Sequence, residues 1–151
     1  MTSGAPEPPR DVGVSILSIW VRYAETDQMG VAHHSHYLVW CEAARTEHLR
    51  RLGVGYRTLE EQGLRLVVVD ARVRFRAPAR FDDLLAVQCW AREVSRRAVV
   101  FGYAIHRQGE AHCLATAQTS LIALNSSHAL GTIPQEVRDH LVVVSPDPVR
   151  L

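Results

Sequence analysis

Between residues 23 and 37 the chain reads YAETDQMGVAHHSHY, a stretch with two carboxylates (Glu25, Asp27), three histidines (His33, His34, His36) and two tyrosines. Three kinds of chemistry suit such a set. A metal centre needs ligands that meet at one point about 2.0–2.2 Å from the ion. Adjacent side chains such as His33 and His34 diverge, and the familiar helical pair is four positions apart, so no metal site is expected, although HHxH can collect an ion weakly. The second reading is structural, because Asp ahead of Gly30 is common in turns for conformational reasons alone. The third is catalytic. Asp27 would stand where a strand ends and a turn leads into a helix, whose free N–H groups, around Val31 to His36, could receive a developing negative charge. A carboxylate beside such groups can deprotonate water or attack a carbonyl. No GxSxG elbow offers a serine alternative. Residue type and spacing leave these readings open.

The elements around the cluster follow from hydrophobic pattern. VSILSIWVRYAE (14–25) is rich in β-branched and aromatic residues and predicts a strand. SHYLVWCEAARTEHLRRLG (35–53) predicts a helix, with Ser35 as a possible cap and Gly53 as its stop. Its first half is apolar on nearly every side, which predicts a helix surrounded by other elements. GYRTLEEQG (55–63) predicts a short second helix. In LRLVVVDARVRFRAPA (64–79), Val69, Ala71, Val73 and Phe75 alternate with Asp70, Arg72, Arg74 and Arg76, the period of a strand. Runs at 84–95, 97–109 and 111–125 with short turns predict an antiparallel meander, and PQEVRDHL (134–141) a last short helix. One long helix and about five strands predict an α+β domain, a curved antiparallel sheet around that helix.

The chain has 151 residues, 47% apolar and 22% charged, the proportions of a single globular domain. Residues 1–12 and 145–151 are Pro-rich and are read as flexible tails outside a domain spanning 13–144. Net charge is +1, so a global field drawing in nucleic acid is not expected, and all 17 basic residues are arginine. Cys41, Cys89 and Cys113 are odd in number and lie in apolar runs. A disulfide framework is therefore not expected, and Cys41 reads as a core filler. With neither a signal-peptide pattern nor a membrane-length apolar run, the expected location is cytoplasmic.

Arg72, Arg74 and Arg76 share a strand face, with Arg80 just beyond. They could grip phosphates through the guanidinium fork, or form a solvated face that discourages edge pairing. Glu25 lies two positions before Asp27, where mutual repulsion could raise one pKa, but the turn is expected to splay the two apart. The remaining histidines read as structural or surface residues.

The segment RYAETDQMGVAHHSHYLVWCEAARTEHLR resembles the opening of hotdog-fold acyl-CoA thioesterases of the 4-hydroxybenzoyl-CoA thioesterase/YbgC type. Their pattern is aromatic-x-E/D-T-D-x-x-G-V-x-x-H-x-x-Y followed by the central helix. The resemblance continues through LGVGYRTLEEQGLRLVVVDARVRFRAPARFDDLLAV and covers about residues 14–125. It implies a hotdog fold and hydrolysis of an acyl-CoA thioester. By position it assigns Asp27 as the catalytic carboxylate, Gly30 as the turn glycine, His34 as the histidine at the helix start, Tyr37 as the aromatic after it, and Glu42 as an acid facing the site. His33 and His36 depart from the pattern, where an aromatic and an Asn are common, at places implied to lie near the acyl group. In this reading Asp27, His34 and Glu42 are catalytic. Gly30, Val31, His33, Tyr37, Arg72, Arg74 and Arg76 bind substrate, no metal or cofactor is needed, and coenzyme A is part of the substrate. A homodimer or homotetramer with sites at the subunit boundary is implied, without nucleic-acid or membrane partners. A hotdog hydratase or dehydratase and a non-catalytic acyl-CoA-binding protein are the alternatives.

Overall fold

The computed structural model describes residues 13–151; the first twelve, read above as a tail, lie outside the described residues. Strand β1 (Val14–Trp20) turns Ser15, Leu17 and Ile19 inward. It ends five residues earlier than its composition predicts. Val21 donates its N–H to Asp83 O at 2.9 Å, and Tyr23–Glu25 coils into a 3-10 turn whose Glu25 side chain takes the Arg22 N–H. A local side-chain acceptor has captured the backbone donor that a longer strand would have used.

Helix α1 (Ser35–Arg51) buries Tyr37, Trp40, Cys41, Ala44, Arg45, His48 and Leu49, at the three- and four-residue spacing of one face. Gly53, at φ +76°, follows its end. The expectation of a surrounded helix needs correction. Leu38, Val39, Glu42 and Ala43 are exposed, with Val39 at 53%, because the sheet covers only one side of the helix. Helix α2 (Tyr56–Glu61) then leads to strand β2 (Arg65–Phe75). The next three strands, β3 (Leu84–Val94), β4 (Ala98–Arg107) and β5 (Cys113–Leu124), form the expected meander, followed by α3 (Gln135–His140).

The five strands form one antiparallel sheet in the order β1-β3-β4-β5-β2, with β2 at the edge beside β5. The register of β2 shifts between Val68 and Asp70, so Val69 is an extra residue instead of the start of the inner row. Leu85, Val87, Phe101, Tyr103, Ile105, Leu114 and Leu121 join the helix residues in the main core. Burying each large apolar side chain contributes about 1.5–3 kcal/mol. Within this core the Arg45 guanidinium donates Nε–H to Tyr56 Oη at 2.7 Å and Nη1–H to Tyr103 Oη at 3.0 Å, and that phenol also bonds Thr119.

The sheet's outer face carries Trp90, whose ring lies so close to Gly102 that an added Cβ would stand 2.6 Å from it. Residues 145–151, read from sequence as a loose tail, are laid across this face. Asp147 accepts bonds from Trp90 Nε1 at 2.9 Å and from Arg92 Nε and Nη2, each at 2.8 Å. Val149 and Leu151 pack beside Trp90. The proline-rich composition disguised apolar residues spaced to cover the Trp90 indole, which is fully buried. No helix among the described residues is long and apolar enough to cross a membrane.

Candidate active site

The loop between the 3-10 turn and α1 closes as a small ladder. His33 N–H donates to Glu25 O at 2.8 Å, Thr26 and Ala32 form an antiparallel bridge, and Asp27 N–H donates to Val31 O at 2.9 Å. At its tip Gly30 N–H returns to Asp27 O at 3.0 Å. Gly30 has φ +76° with open space where a Cβ would sit, so the glycine is there for its backbone angle. Ala32 N–H donates to Ala79 O at 2.8 Å, tying this loop to the segment after β2.

The tip holds Asp27 half-exposed. Its Oδ1 accepts the Met29 N–H at 2.9 Å, while Oδ2 has no partner among the described residues. Asp27 faces an apolar hollow of about 350 Å³, also lined by Val31, Ala32, His34, Tyr37 and Phe75, with Arg76 to Pro78 at the rim. Tyr37 is buried, accepts the Ala79 N–H at 3.0 Å, and meets Phe75 edge-to-face at 4.9 Å, which makes it a fixed wall.

Not every N–H at the helix start is free. Ser35 is the first helical residue, not the cap, and its N–H lies 3.3 Å from His33 Nδ1. The N–H groups of His36 and Tyr37 turn back to His33 O and His34 O. Between positions 31 and 34, Ala32 and His33 are spent on Ala79 and Glu25. That leaves the N–H groups of Val31 and His34 without an acceptor among the described residues, both belonging to residues that line the hollow.

Asp27, Gly30, Val31, His34 and Tyr37 are therefore brought together. His33 is not in the hollow; its ring stacks on His34 at 4.1 Å and its Nδ1 stands 2.8 Å from Ser35 Oγ. Among the described residues no group of three His, Cys, Asp or Glu side chains could hold a metal ion. Glu42 projects from the open side of α1 and does not line the hollow. Arg72 and Arg74 line a separate hollow of about 440 Å³ on the outer face, with Arg92, Thr116 and Gln118. Arg76 lines the Asp27 hollow and sends Nη2–H to Arg150 O at 2.9 Å. Strand alternation predicts that Arg72 and Arg74 share a face, but not that this face looks away from Asp27.

Sequence reasoning weighed Glu25 only as a charge beside Asp27 and missed its bond to Trp40. Glu25 is 3% exposed and accepts Trp40 Nε1–H at 2.9 Å. The signal was an indole, whose N–H needs an acceptor, placed in an apolar helical run. Cys41 has no such role: burial pushes its thiol up to about 12, and it fills the core as expected.

Residues 21–141 match the model of the thioesterase-like superfamily. The chain belongs to that superfamily. It is 34% identical to acyl-CoA thioesterase YbgC of Haemophilus influenzae over 119 residues, 78% of this chain and 87% of that one. Among solved structures it resembles hypothetical protein TT1821 of Thermus thermophilus, with a TM-score of 0.78 and 41% identity over 85% of this chain and 95% of that one. It also resembles the DHNA-CoA thioesterase of Staphylococcus aureus, with a TM-score of 0.73 and 33% identity over 82% and 81%. The curved five-stranded antiparallel sheet with α1 packed against one face is the hotdog fold.

Proposed function

We propose that the protein is an acyl-CoA thioesterase, releasing a free carboxylic acid and coenzyme A, with Asp27 as its catalytic carboxylate. The observation that carries this is the placement of Asp27 in the wall of an apolar hollow also lined by Val31 and His34, whose N–H groups have no acceptor among the described residues. The thioester carbonyl oxygen lies against those donors, which strengthen their hold as it becomes an oxyanion. Met29 N–H fixes one Asp27 oxygen, and the other takes a proton from water as that water adds to the carbonyl. Collapse of the tetrahedral adduct breaks the C–S bond, and the departing thiolate receives that proton. Direct attack by the same oxygen, forming an anhydride that water then opens, uses the same geometry.

The His34 ring orients the substrate beside Asp27, and Tyr37 with Phe75 forms the apolar wall for the acyl group. The reaction needs no cofactor beyond the coenzyme A of the substrate, whose phosphates are assigned to Arg76 at the rim of the hollow and to Arg72 and Arg74. Three buried, unbridged cysteines fit a cytoplasmic location.

The functional unit is a dimer or a tetramer built from it. Edge strand β2 runs for 11 residues with one side unpaired, and Val67, Val68 and Val69 on it are exposed. Such an edge invites pairing with a second copy. The open α1 face of Leu38, Val39 and Ala43 is a further apolar surface for that partner, and Glu42 on it reaches a site only across a subunit boundary.

Thiol release from a panel of aromatic and aliphatic acyl-CoAs tests the activity. Release with at least one member is expected. Binding without release would identify a carrier or sensor, and hydration of an enoyl thioester in place of release would identify a hydratase.

A further inference from the structure

The loop that carries Asp27 is rooted on a carboxylate that the reaction above does not use. Burial pushes the Glu25 carboxyl up, but bonds from the Arg22 N–H and the Trp40 indole, with the Arg22 guanidinium, outweigh it and hold it below the usual range. Oε1 accepts the Arg22 N–H at 2.8 Å and Oε2 accepts Trp40 Nε1–H at 2.9 Å, with His36 Nδ1 at 3.8 Å. The Glu25 carbonyl accepts the His33 N–H. One residue thus grips the exit of β1, the second turn of α1 and the returning leg of the loop.

Asp27 sits on the third rung of the ladder that starts at that root, through the pairs 25–33, 26–32 and 27–31. The same carboxylate also reaches the hollow's wall. Trp40, held by Glu25, lies against Tyr37 with ring centroids 4.8 Å apart. A buried charge is a costly tether, and an apolar side chain could stabilise the loop as well. What two short bonds to fixed donors add is a single placement of the loop against the helix.

We propose that Glu25 is a positioning residue for thioester hydrolysis, setting the Asp27 carboxylate and the Tyr37 wall relative to the Val31 and His34 N–H groups. The proposal rests on Asp27 being the catalytic group. A misplacement of about 1 Å in such an arrangement costs about a hundredfold in rate.

The test compares Glu25→Gln, Trp40→Phe, Asp27→Asn and the Glu25→Gln/Asp27→Asn pair in the full chain, reading kcat, KM and melting temperature on one acyl-CoA. Glu25→Gln should lower kcat by roughly ten- to a hundredfold with KM nearly unmoved and little change in melting temperature. Trp40→Phe, which keeps a ring but loses the N–H, should lower kcat by a smaller factor, and it decides the matter if Glu25→Gln does not fold. Glu25→Gln should add little to Asp27→Asn, because it acts through that residue. Unchanged kcat in Glu25→Gln, a loss that merely tracks the folded fraction, or full multiplicativity with Asp27→Asn would overturn the positioning role. If Asp27→Asn alone keeps full activity, the catalytic assignment fails and the positioning role falls with it. If Asp27→Asn is inactive and Glu25→Gln fully active, only the positioning role is lost.

Discussion

At the scale of single residues, the site depends on a backbone angle as much as on a carboxylate. Gly30 adopts a left-handed conformation with no neighbour near the absent Cβ, so its replacement is a problem of strain and not of space. Gly30→Ala should cost about 1–2 kcal/mol of stability and lower kcat together, since the strained turn is the one that aims Asp27. Gly30→Asn, which tolerates this conformation better, should recover part of both. Thermal melts and thiol-release kinetics of the two variants check this. An alanine variant as stable and active as the parent would show that the turn is not held as described. Asp27, Gly30, His34 and Tyr37 were assigned by the family resemblance, whose pattern lies along one strand-to-helix junction, whereas residue type and spacing alone left the readings open. Glu25 was not, because its importance lies in a bond to Trp40, fifteen positions on.

At the scale of elements, α1 is fastened to the sheet by polar groups as well as by its apolar face. His48 Nδ1 stands 2.7 Å from Ser15 Oγ of β1, with Phe101 edge-on to the ring. Burial, helped by Arg51, lowers its pKa from 6.5 to about 4. The folded protein therefore prefers neutral His48, whereas the unfolded chain takes a proton more readily. This contribution is fully present above pH 6.5 and is lost as pH falls from there toward about 4. Its size is about 3 kcal/mol. His48→Gln should flatten that acid slope in chemical unfolding measured between those limits. An equally steep slope in the variant would remove His48 as its cause. The number and order of elements were readable from periodicity, and strands β3 to β5 fell where alternation and turns placed them. The early end of β1, the bulge at Val69 and the open face of α1 were not, since each is decided by a tertiary partner or by its absence.

At the scale of the whole molecule, the protomer leaves the β2 edge of the sheet and one helix face unsatisfied. Val69 is 56% exposed on an edge strand whose outward backbone groups have no partner among the described residues. In solution the protein should run as a dimer or larger. Replacing both Val67 and Val69 with Asp should shift it toward monomer, measured by light scattering after size exclusion. A wild type that stays monomeric across accessible concentrations would contradict the proposed assembly. The part of the outer face around Trp90 is already covered by the C-terminal segment through Asp147 and Arg92, which the proline-rich sequence did not suggest. Composition reports how a segment is built, not which indole it shields.

The measurement that tests the central claim most directly is the turnover of one acyl-CoA by the wild type and by Asp27→Asn, with folding of both verified by melting. The substitution keeps the side chain's size and its acceptor for the Met29 N–H, and removes the ability to take a proton or to attack. The account predicts a loss of at least about a hundredfold in kcat with a folded, substrate-binding variant. Turnover by Asp27→Asn at the wild-type rate would place the chemistry elsewhere on this fold.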